Sequence, residues 1–123
     1  HRRDGTETRP VVDAVLDPDS QYLDRSRYHA RIAPFLEHFG RDQLLVVVQE
    51  RLLARRREEL ARVYSHGGAD PSFWDEGLLA PRHVGGGTEP VPPSLGGAVW
   101  ERVGDDVERL RALLGDDLPE WSR

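Results

Sequence analysis

The amino-acid sequence predicts an α/β fold: a mostly helical slice of a three-layer domain built around one buried parallel strand, at about residues 44–48. Three observations lead there. In DQLLVVVQERL, five apolar and largely branched residues, Leu44 to Val48, stand together between polar flanks, as in a strand buried on both faces. Amphipathic helical patterns lie on either side of that run. A long stretch rich in Gly and Pro, residues 69–97, then separates them from a last, clearly periodic helix.

Each element has its own signals. Thr8 and Pro10 open a short helix whose apolar face is Val11, Val12, Val15 and Leu16, and DPDS at 17–20 is a turn. From Ser26, Tyr28, Ile32, Phe35, Leu36 and Phe39 recur at helical spacing. Gly40 is the natural stop, and Pro34 kinks or divides the helix. After the strand a helix is expected from about Leu52 to Tyr64, with Leu53, Leu60, Val63 and Tyr64 inward and Gly67-Gly68 at its end. The Gly/Pro stretch reads as a long loop with a turn near Pro71 to Trp74; residues 1–7 and 75–94 are expected to be mobile. In the final helix Val99, Val103, Val107, Leu110 and Leu114 step by four and three along one face, and Gly115 closes it.

Composition narrows the classes of function. A chain of 123 residues supports one domain with a modest core. The net charge of −5 argues against a nucleic-acid-binding domain, which usually carries a basic excess. Without cysteine there is no disulfide or thiolate metal site, and the five histidines lack metal-ligand spacing, so no metal is expected. No apolar run is long enough to span a bilayer and no signal-peptide pattern opens the chain, which points to the cytoplasm. All 17 basic residues are arginine. A function that needs a phosphate-binding lysine therefore cannot be completed by this chain.

A single strand cannot satisfy its own backbone hydrogen bonds. Its neighbours are expected upstream of His1 or on another chain. The order of motifs suggests the first. An aromatic helix leads into FGRDQLLVVVQERL (39–52), then come Val63-Tyr64-Ser65-His66-Gly67-Gly68, a Gly-rich loop, and an ending with Leu110, Leu113, Leu114, Gly115, Leu118 and Trp121. This order resembles the C-terminal half of bacterial, P-loop-like sulfotransferases that use 3′-phosphoadenosine 5′-phosphosulfate, over roughly residues 20–123. Arg51 stands where that family has an aspartate, and the family's phosphosulfate loop with its lysine has no counterpart here.

The resemblance implies that residues 1–123 are the C-terminal portion of one sulfotransferase domain. The complete enzyme would pass a sulfuryl group from the phosphoadenosine donor, as co-substrate, to a hydroxyl or amine on a small-molecule or carbohydrate acceptor. This chain alone would be inactive. In PRHVGGGTEP (81–90), the resemblance implies that Arg82 and His83 supply charge to the nucleotide and that Gly85, Gly86 and Gly87 let the backbone approach it; the same loop reads equally as a surface loop with a chance arginine. Glu50, just past the strand, is a weak candidate for the base, or a carboxylate placed on the next helix or paired with an arginine such as Arg55. Tyr22, Tyr28 and His29 could line an acceptor pocket, although Tyr28 also falls on the apolar stripe. Arg55-Arg56-Arg57, followed by two glutamates, reads as a solvated helix face, and Trp74, Trp100 and Trp121 as packing anchors. The alternative is a non-catalytic helical interaction module that pairs its lone strand with a partner's sheet edge or with its own copy.

Overall fold

The computed structural model describes residues 8–82 and 90–121. Six α-helices are defined among them: α1 (Val11–Leu16), α2 (Gln21–Arg25), α3 (Tyr28–Leu36), α4 (Gln49–Ala54), α5 (Arg56–His66) and α6 (Pro93–Leu114). Short 3-10 turns occupy Arg41–Gln43, Glu76–Leu79 and Pro119–Trp121. Among the described residues there is no strand. The α/β expectation with a buried parallel strand at 44–48 is thereby overturned. Five apolar residues in a row signal burial, whereas a strand also needs a second backbone beside it, and the described residues offer none.

The described residues form two compact units, 8–35 with 90–121 and 36–82. In the first, α1, α2 and α6 pack against one another. The stripe expected on the last helix is its core-facing side: Val103, Val107 and Leu110 are buried, joined by Leu95 in the first turn. Ala14 from α1 and Leu23 from α2 complete the layer. Pro93 at the first turn suits its missing N–H, and Gly115 ends the helix in the left-handed region at φ 60° and ψ 35°. Beyond it the chain hooks back. Leu118 is fully buried, at 0% exposure, and holds the same left-handed region at φ 45°, which is costly for a leucine. Burying that side chain, worth about 1.5–3 kcal/mol, offsets the strain. The Arg111 guanidinium donates to the Trp121 carbonyl at 2.8 Å and closes the hook.

α3 opens on a side chain from α6. Asp106, buried in the middle of that helix, accepts from the backbone N–H of His29 (Oδ2, 2.9 Å) and of Ala30 (Oδ1, 2.9 Å). Two of the unpaired donors at a helix start are thus met by a carboxylate 76 and 77 positions away in sequence. The Tyr28 ring then lies 5.4 Å from that of Trp121. No residue of α3 is buried, so the aromatic stripe expected there does not face a core; Phe35 is 59% exposed. The helix runs through Pro34 undivided and ends at Leu36, short of the stop expected at Gly40.

The second unit is built differently. The helix expected over Leu52–Tyr64 is two, α4 and α5, broken at Arg55 (φ −134°, ψ 55°) and packed on each other. Its buried residues are Val48 and Glu59, while Leu53 and Val63, expected inward, are exposed along with Phe39, Phe73 and Leu79. The break puts Leu53 on α4, out of register with Leu60, Val63 and Tyr64 on α5. The chain after α5 returns along it. Arg56 donates to the Leu78 carbonyl at 2.7 Å, the Arg57 guanidinium lies 5.2 Å from the centre of the Trp74 ring, and Tyr64 meets Phe73 edge-on at 5.9 Å. Arg55 and Arg57 are exposed, as expected for a solvated face, while Arg56, half-buried, and Arg57 also touch this segment. No described helix is long and apolar enough to cross a membrane.

The capping geometry makes one prediction. Asp106→Ala removes both acceptors for α3, and the urea unfolding midpoint is expected to fall by the equivalent of about 1–3 kcal/mol. Asp106→Asn, which keeps one acceptor oxygen, should lose less. A midpoint unchanged in Asp106→Ala would refute the structural role.

Candidate functional site

The expected site residues separate when placed on the fold. Tyr22 lies half-buried on α2, where its carbonyl accepts the Ser26 hydroxyl at 3.0 Å. Tyr28 and His29 begin α3; the first leans on Trp121 and the second gives its backbone N–H to Asp106. Glu50 sits exposed in the first turn of α4, where a carboxylate favours the helix dipole. Arg82 is exposed. His83, Gly85, Gly86 and Gly87 lie outside the described residues. Of these candidates, the structure brings Tyr28 and His29 together, as chain neighbours at one helix start.

A different feature emerges in the second unit. An open hollow of about 480 Å³ is lined by Leu45 and by Ala61, Arg62, Ser65 and His66 of α5. The four helical residues share one side of α5, as their spacing requires. The buried Glu59 carboxylate takes the Arg62 guanidinium at 2.6 Å, which orients that arginine along the rim. His66 Nε2 lies 3.1 Å from the Gln43 carbonyl and so donates to it. The imidazole and the guanidinium are thus each held by one neighbour of the same unit. Sequence reading passed over this side of α5 because Leu60, Val63 and Tyr64 carry the stronger apolar signal.

The hollow borders the stretch Leu44–Val48, which is extended at both ends (Leu44 φ −110°, ψ 122°; Val48 φ −84°, ψ 122°). Both ends are anchored. The Leu44 N–H donates to the Arg41 carbonyl at 3.2 Å, and the Leu44 carbonyl accepts from Arg41 Nη1 at 2.7 Å. Gln43 Oε1 accepts the Gly40 N–H at 2.9 Å. At the far end the Val48 carbonyl accepts the Leu52 N–H at 2.9 Å and starts α4. Between these anchors, the N–H and C=O groups of Leu45, Val46 and Val47 make no hydrogen bond among the described residues. Their side chains are half-buried. Such a stretch is pinned at both ends and still has its backbone to offer.

Among the described residues no group of three His, Asp or Glu side chains could hold a metal ion. Comparison with protein-family models, with curated proteins and with solved structures finds no match to this chain.

The turn that carries Phe73 and Trp74 is set by Asp70. Its carboxylate accepts the Ser72 hydroxyl at 2.7 Å and the Ser72 N–H at 2.9 Å, and these bonds hold its pKa below the usual aspartate value, the hydroxyl contributing most. A lowered carboxylate pKa stabilises the fold above the unfolded value, and that contribution disappears as pH falls through the lowered one. Ser72→Ala should raise the Asp70 midpoint toward the ordinary value, but not fully, because the backbone N–H remains. Carboxyl-carbon NMR titration of both proteins measures this; equal midpoints would show that the hydroxyl plays no part.

Proposed function

We propose that this chain is a non-catalytic helical interaction module whose docking element is the extended stretch Leu44–Val48. One observation carries the reading: three consecutive apolar residues present unbonded backbone donors and acceptors inside a stretch pinned at both ends. A half-buried peptide group left without a partner costs free energy, whereas pairing each one with another backbone gains about 0.5–1.5 kcal/mol. Adding a strand is the recognition mode that uses such a stretch. The surrounding surface suits it. Phe39, Leu53, Val63, Phe73 and Leu79 are exposed in the same unit, and aromatic and aliphatic side chains anchor protein interfaces.

A second reading, the C-terminal portion of a sulfotransferase acting with 3′-phosphoadenosine 5′-phosphosulfate, is favoured by the order of motifs over residues 20–123. Exposed Arg82 is the described residue that would serve it, through the donor's 3′-phosphate.

Two titrations separate the readings. A fluorescent, uncharged heptapeptide of alternating valine and threonine should bind saturably, by anisotropy, and binding should be lost in Val47→Pro, which removes one of the unbonded N–H donors. Adenosine 3′,5′-bisphosphate should give no heat in a calorimeter. Binding of the bisphosphate without binding of the peptide would replace the module reading with the transferase one. Absence of both, in protein shown to be folded by circular dichroism, would remove the module reading.

A further inference from the structure

One edge of the stretch is open and the other is not. In an extended chain, the N–H and C=O groups of alternate residues point to the same edge. One edge therefore carries Leu44, Val46 and Val48, and the other Leu45 and Val47. The first is taken at both ends: Leu44 has both backbone groups on Arg41, and the Val48 carbonyl accepts from Leu52. Leu45 and Val47 have all four of theirs free of partners among the described residues. An antiparallel strand laid on this edge exchanges two hydrogen bonds with each of them.

The hollow on α5 stands at one end of the stretch. Leu45 lines it, with Ala61, Arg62, Ser65 and His66, and the His66 ring is bonded to the carbonyl of Gln43, just before the run. Both contacts place the end of α5 beside the start of the stretch rather than its finish. The side chains there offer donors. Arg62 gives Nη1 to Glu59 and keeps Nε and Nη2 without partners among the described residues, and the Ser65 hydroxyl is likewise unengaged. No carboxylate lines the hollow, Glu59 being buried.

A strand antiparallel to the stretch runs from the Val47 end toward the Leu45 end, so its C-terminus is the end that reaches the hollow. A parallel strand would bring an N-terminus, whose ammonium cannot accept from a guanidinium. The dipole of α5 opposes an anion at this end of the helix, but charge-assisted hydrogen bonds from Arg62 and Ser65 are the stronger effect. Two donors hold a free anion weakly; the ladder beside them supplies the effective concentration. We infer that the Leu45 and Val47 edge takes the C-terminal end of an extended peptide, antiparallel to it, with the terminal carboxylate in the hollow on the Arg62 guanidinium and the Ser65 hydroxyl. This rests on the module reading above and names the chemistry of its partner.

Calorimetric titration with three unlabelled versions of the valine–threonine heptapeptide tests it. The first is N-acetylated with a free C-terminal acid. The second is N-acetylated with a C-terminal amide. The third has an N-terminal succinyl group and a C-terminal amide, so its carboxylate sits at the opposite end. The acid should bind the wild-type chain about tenfold or more tightly than the amide, and the succinyl peptide no better than the amide. In the double variant Glu59→Gln, Arg62→Gln, which leaves no buried charge without its partner, the amide should bind as before and the preference for the acid should vanish. Equal affinity of acid and amide for the wild-type chain overturns the inference and leaves the module reading standing. A succinyl peptide that matches the acid overturns it as well, because charge at either end would then suffice. So does a preference that survives in the folded double variant. If none of the three peptides binds, the inference and the module reading both fall.

Discussion

The bond pair from Asp106 to the start of α3 is the constraint on which the first unit turns. A carboxylate in the interior of a helix is costly to bury, and here both oxygens are met at 2.9 Å by backbone donors that would otherwise lack partners. The long helix α6 thereby decides where α3 begins. That in turn sets Tyr28 against Trp121, and Trp121 is held by Arg111 one turn before the end of α6. The loop of contacts closes on the helix that started it. Within it Leu118 is fully enclosed in a backbone conformation that leucine avoids, which the hook can sustain only because burial and the Arg111 bond act together.

The two units divide their labour by composition. Apolar residues buried in the first come from α1, α2, α6 and the hook. The second buries Val48 and a paired glutamate, and leaves five large apolar side chains in solvent. Its integrity depends on contacts of another kind: Arg56 on a carbonyl, Arg57 on Trp74, Tyr64 on Phe73, His66 on Gln43. These position a segment without sealing a core. A unit of this kind gains more from an added surface than one whose apolar residues are already inside, which supports the docking role proposed for it.

The stretch Leu44–Val48 shows how a sequence signal can be read correctly in part. Its branched, apolar composition does keep it out of the helices on either side, and the chain there is extended with Val48 buried. Composition cannot supply the neighbouring strand, and a ladder exists only between two backbones. The same limit applies to the helix that follows. Nothing in LLARRREELARVY marks Arg55 as a break, since arginine is a good helix former; the turn there answers to the packing of α4 on α5.

What the sequence determined by itself was local. The period of α6 and its buried face, the stop at Gly115 and the extended ends of 44–48 follow from side-chain spacing and from the backbone preferences of glycine and of branched residues. Only the tertiary structure decided which charged residues go inside. Asp106 and Glu59 look like any other acid on a polar helix face, because the donors that make their burial tolerable come from His29 and Ala30, far along the chain, and from the particular turn of Arg62. A hydrogen bond across some 76 residues leaves no trace in local periodicity. It exists because two helices meet, and that meeting is a property of the folded chain.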